Sequence, residues 1–172
     1  MPRSIIIGYG NIDRADDGVA CEVINALRRL QGRKPLTDEG MGFEDLGAEV
    51  DTLFVYQLSP EILELLADYD RIVFVDAHVY PEIDDLYCRP VLPEGAPSTL
   101  MHHFSPETLL ALLKALYGKE PDARLVSVRG YDFDFHRGLS GKTREISGRA
   151  VAYIRQWLGE RGHGGVFPSE RP

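Results

Sequence analysis

Ile5, Ile6 and Ile7 form a β-branched run that stops abruptly at Gly8. A strand that is apolar at consecutive positions is apolar on both faces. It therefore needs cover above and below, which a parallel sheet between two helical layers supplies. After the loop Gly8-Tyr9-Gly10-Asn11, apolar residues return at Val19, Val23, Ile24 and Leu27, the spacing of one helical face. Asp16 and Asp17 stand where that helix begins, and free N–H groups and the helix dipole favour carboxylates there.

The remaining chain repeats this alternation. Val50–Tyr56 reads as a strand beside the first, and Ser59-Pro60-Glu61 as the capped start of a helix over Pro60–Asp68 with Ile62, Leu63, Leu65 and Leu66 inward. Arg71–Asp76 is a strand buried on both faces that ends in an acid, and Asp85–Val91 a further strand. Ser105-Pro106-Glu107 opens a second helix with Leu109, Leu110, Leu112, Leu113 and Leu116 on its buried side. Arg124–Arg129 is the last strand. Thr143–Leu158 is the last helix, with Ile146, Ala150, Val151, Ile154 and Trp157 inward. Gln31–Gly47, rich in Gly, Lys, Asp and Glu, reads as an irregular surface connection.

Strands alternating with helices predict an α/β fold in three layers, α/β/α, with a mainly parallel, twisted sheet of about five strands. At 172 residues the chain suits one such domain, expected over 1–160 with a flexible tail at 161–172. The isolated thiols Cys21 and Cys88 lack metal spacing and read as buried free cysteines of a reducing cytoplasm. No apolar run reaches bilayer length, so no membrane partner is expected. A net charge of −8 argues against a nucleic-acid partner.

The first loop has two glycines of a dinucleotide fingerprint, Gly8 and Gly10, but Asp13 stands at the third position. Asp13, Asp16 and Asp17 also make the loop repulsive to phosphate, so a cationic ligand suits it better. In open parallel sheets ligands bind beyond the carboxyl ends of the strands. Asp17 follows the first strand, Asp76 ends the third, and His103 comes from the loop after the fourth. Two carboxylates and an imidazole suit a first-row divalent metal with positions left open. Asp16, His78 and His102 are the nearest alternatives, and His136 is an outer candidate in the loop Gly130–Lys142.

Gly8-Tyr9-Gly10-Asn11 followed by Asp16-Asp17-Gly18 resembles the N-terminal signature of the [NiFe]-hydrogenase maturation endopeptidases. Arg137-Gly138-Leu139-Ser140 resembles that family's G-L-S segment before the last helix. The resemblance implies nickel-binding groups at Asp17, at Asp76 within IVFVDA, and at His103, with Asp17 and Asp76 as catalytic candidates. Gly8, Gly10 and Asn11 would shape the loop that presents Asp17. Where many members carry a Gly-Gly-Thr loop, this chain has Tyr56-Gln57-Leu58-Ser59-Pro60, which marks a subgroup associated with cytoplasmic, cofactor-reducing hydrogenases.

The implied function is removal of the C-terminal extension from a hydrogenase large-subunit precursor after nickel insertion. The nickel would arrive on that substrate, and the enzyme would act as a monomer or weak dimer. A metal-polarised carbonyl with Asp16 or Asp17 as base is one chemistry for the cut, and recognition alone is another role for the metal. A non-enzymatic nickel chaperone on the same fold, or a nucleotide-binding enzyme using the glycine loop, are the alternatives.

Overall fold

The computed structural model describes residues 2–37, 40–94 and 104–161. His102, His103 and the segment 162–172, which holds most of the expected tail, lie outside the described residues. The described chain forms β1 (Ser4–Tyr9), α1 (Val19–Leu30), β2 (Val50–Val55), α2 (Leu63–Leu66), β3 (Arg71–His78), β4 (Leu86–Pro90), α3 (Pro106–Tyr117), β5 (Asp122–Arg129) and α4 (Gly141–Arg161). The strands make one sheet in the order β2-β1-β3-β5-β4. All neighbours are parallel except β4, which runs antiparallel to β5 at the edge.

The isoleucine run explains the layers. Ile5 and Ile7 pack on one face of the sheet with Ile62 just before α2, Leu66 of α2, and Leu109, Leu110 and Leu113 of α3. Ile6 points to the other face and packs with Val23, Ile24 and Leu27 of α1 and Ile154 and Trp157 of α4. All three isoleucines are fully buried. At about 1.5–3 kcal/mol for each such side chain, this run alone strongly disfavours leaving either face of β1 uncovered.

The two Ser-Pro-Glu helix starts behave differently. Ser105 caps α3, its Oγ accepting from Thr108 N at 3.1 Å. Ser59 makes no side-chain cap, and the chain there runs through a 3-10 turn, Pro60–Ile62, into only four α-helical residues. The helix expected over Pro60–Asp68 is thus shortened at both ends. Leu116 faces outward, because α3 buries only Leu109, Leu110 and Leu113 of its leucines. Val151 is half-buried on α4 rather than inward. Cys21 and Cys88 are half-buried thiols at the margins of the second core rather than inside it.

The connection between α1 and β2 is irregular as expected, yet it is anchored to the core. Arg28, 4% exposed, donates from Nε to Lys34 O at 2.6 Å, from Nη1 to Thr52 Oγ1 at 2.9 Å, and from Nη2 to Asp45 Oδ2 at 2.7 Å. A buried guanidinium is tolerated when its donors are matched in this way.

Candidate functional site

The chain leaves β1 through α1 towards β2 on one side, while β3 flanks β1 on the other. That divergence opens a crevice at the carboxyl ends of β1 and β3, the switch point where ligands bind in sheets of this type. A cavity of about 370 Å³ lies there, lined by Tyr9, Gly10, Asp17, Tyr56, Gln57, Leu58, Asp76, Ala77 and Phe104. Asp17 and Asp76, 59 positions apart by their numbering, thus meet in one cavity. A second cavity of about 220 Å³ shares Tyr56 in its lining, but among the described residues Glu22 is the one acid there.

The first loop is built to aim Asp17. Asn11 N donates to Asp17 Oδ2 at 2.9 Å, and Asn11 Oδ1 accepts from Asp13 N at 2.9 Å, a local turn that a short amide side chain favours. Gly10 has φ +146°, and a Cβ there would stand 2.2 Å from Asp17 O. Only glycine permits both that backbone conformation and that approach. Gly8 packs directly on Ala20 and Ile24, which seats α1 against β1.

Asp76 lies within β3, not at its end, since the strand continues to His78. Its Oδ2 accepts from Tyr9 Oη at 2.9 Å. Its Oδ1 is closed off from solvent and has no hydrogen-bond partner among the described residues. Burial pushes the Asp76 carboxyl above the usual range, against the Ser127 and Tyr9 hydroxyls and the charges of His78 and Arg89. Burial and the Asp76 charge likewise push the Tyr9 phenol well up, so it stays neutral and donates. The protein alone under-compensates a negative charge at Asp76, which a cation in the adjoining cavity would offset.

The other candidates are placed differently. Asp16 is fully buried and serves the fold: its oxygens accept from Tyr131 N, Asp132 N, Ser140 N, Ser140 Oγ and Thr143 Oγ1 at 2.7–2.9 Å. Burial would raise its pKa, but these donors outweigh that and hold it below 3.8. His78 is buried on β3, two residues from Asp76 and so on the same strand face. Its Nδ1 accepts from Tyr80 N at 3.3 Å, and its Nε2 has no partner among the described residues. His136 is an exposed loop residue with Nε2 2.7 Å from Asp132 Oδ2. The Arg137 carbonyl, and then Asp132, raise its pKa.

Among the described residues no three His, Cys, Asp or Glu side chains group closely enough to hold a metal ion. Asp17 and Asp76 supply two carboxylates, and the expected third ligand, His103, lies outside the described residues immediately before Phe104, which lines the cavity. Sequence reasoning missed the Tyr9–Asp76 hydrogen bond and the lining formed by Tyr56, Gln57 and Leu58. The signals for the latter three were their position directly after β2, at the same sheet edge as Asp17, and their standing where many members of the family this chain resembles carry a Gly-Gly-Thr loop.

Neither a protein-family model nor a curated protein matches the sequence. Solved structures do. The chain is similar to the hydrogenase maturating endopeptidase HybD from E. coli, with 23% identity over 93% of this chain and 94% of that one and a TM-score of 0.68. It is similar to an endopeptidase from Escherichia coli solved in solution, with 22% identity over 98% and 99% and a TM-score of 0.67. It is also similar to the [NiFe] hydrogenase maturation protease HycI from Thermococcus kodakarensis KOD1, with 18% identity over 91% and 92% and a TM-score of 0.63. At these identities the likeness establishes a shared fold over nearly the whole chain: three layers around a mainly parallel five-stranded sheet.

Proposed function

We propose that this protein is a cytoplasmic endopeptidase that removes the C-terminal extension of a [NiFe]-hydrogenase large-subunit precursor after nickel has been inserted. The observation that carries the reading is the meeting of Asp17 and Asp76 in one cavity at the β1–β3 switch point, with Asp76 Oδ1 left unpartnered. The shared fold with proteins named as hydrogenase maturation proteases supports the choice of reaction.

In this reading the nickel belongs to the substrate. Asp17 and Asp76, with His103 as third group, engage the open positions of an ion already held by the precursor. Carboxylate and imidazole without thiolate suit temporary contact with such an ion rather than a closed structural site. The cut itself adds water across the peptide bond: oxygen joins the carbonyl carbon, the C–N bond breaks, and the departing amine takes a proton. Asp17 is the better base of the acidic pair. Its carboxylate accepts only Asn11 N among the described residues, whereas Asp16 is occupied by five donors.

The test is incubation of the purified protein with nickel-loaded precursor, followed by intact-mass measurement. Loss of the extension in a single step supports the endopeptidase. Stoichiometric binding with no change in precursor mass would instead make it a nickel-carrying module.

A further inference from the structure

We infer that Tyr9 is a positioning residue that holds the Asp76 carboxylate in one orientation beside the cavity it shares with Asp17. This rests on the reading of Asp76 given above and concerns a residue that no motif assigns. Tyr9 occupies the variable position between the two glycines of the first loop. It is the last residue of β1, and that strand's register against β3 ends one step earlier, at the pair Gly8–Val75. The tyrosine is thus carried beside Asp76 by the sheet itself.

The geometry fixes the carboxylate through the phenol. A phenol has one proton, and Tyr9 donates it to Oδ2 at 2.9 Å. Oδ1 is enclosed, and Ser127, paired with Asp76 across the sheet, brings its hydroxyl to the same carboxylate. Both side chains line the same cavity as Asp17. The terminal torsion of an aspartate is broad and roughly two-fold, so an unheld carboxylate presents either oxygen or both. With Oδ2 engaged by Tyr9, the orientation of the group is settled before an ion arrives in the cavity. Such outer partners of a ligand commonly alter metal affinity or activity by about 10–100-fold when removed.

The experiment compares wild type, Tyr9→Phe and Asp76→Asn. Each is measured for cleavage of nickel-loaded precursor, for calorimetric affinity toward nickel ion alone, and for melting temperature. Tyr9→Phe keeps the ring and removes only the hydroxyl. The expected result is a melting temperature near wild type, with nickel affinity and cleavage both lowered by about tenfold or more. Wild-type nickel affinity and cleavage in Tyr9→Phe, with Asp76→Asn inactive, would overturn the positioning role and leave the function standing. Normal cleavage by Asp76→Asn would remove the reading of Asp76 itself. A Tyr9→Phe protein without a cooperative melt would assign the hydroxyl to the stability of the sheet, and that too overturns the inference.

Discussion

Asp16 and Ser140, 124 positions apart, are joined twice: Ser140 N donates to Asp16 Oδ1 at 2.7 Å and Ser140 Oγ to Oδ2 at 2.8 Å. Thr143 Oγ1 adds a third contact at 2.8 Å, its single proton shared between Asp16 Oδ2 and Arg129 O at 2.9 Å. Asp16 thereby ties the loop after β5 and the first turn of α4 to the loop after β1. It holds the floor on which its neighbour Asp17 is presented.

Asp16→Asn is expected to destabilise the fold. The amide places donors against donors and removes the charge that strengthened each bond, a loss of about 2–3 kcal/mol. Urea unfolding should show a lowered midpoint with an unchanged slope. A midpoint equal to wild type would mean that the Gly130–Thr143 segment is held by other contacts.

Gly10→Ala should disable the site by reshaping the first loop. The added methyl would meet Asp17 O, and a φ of +146° is strained for any L side chain. Processing should be lost even where circular dichroism shows the sheet and helices intact. Gly8→Ala meets Ile24 and Ala20 side-chain atoms at 3.0–3.1 Å, so its effect should fall first on stability through the α1–β1 contact. Equal processing by wild type and Gly10→Ala would show that the loop geometry does not control Asp17.

The anchoring of Gln31–Gly47 gives a pH dependence. Hydrogen bonds from Arg28, with its charge and that of Arg33, hold the Asp45 carboxyl below its ordinary 3.8 despite partial burial. The folded state therefore binds this proton less readily than the unfolded chain does. The stabilisation is fully present above the unfolded value, and falls away as pH drops from there through the folded one. The stability difference between wild type and Asp45→Asn should be present at pH 6 and shrink as the pH is taken below 3.8. A difference independent of pH would contradict the ion pair's role.

Much of this was legible in the sequence because short β-branched runs and leucine periodicity are local signals. Ile5–Ile7 and Arg71–Asp76 announced buried parallel strands, and the acids and glycines of the first loop marked the crowded sheet edge. Other features depend on partners far along the chain. Asp16 and Asp17 look alike in sequence, and only the return of Ser140 and Thr143 separates a structural acid from one facing the cavity. Tyr9 carries no signal of its own in the first loop, and only β3 brings Asp76 beside it. Ser59 and Ser105 share the same following residues, yet only Ser105 caps, because the chain after Ser59 tightens into a 3-10 turn.

The central claim is that the two carboxylates read an ion carried by the substrate. The direct measurement uses protein stripped with chelator and then freed of it, mixed separately with nickel-loaded and nickel-free precursor, with the precursor mass followed over time. The account predicts that stripped protein shortens the nickel-loaded precursor and leaves the nickel-free one intact. Efficient shortening of nickel-free precursor by stripped protein would contradict it.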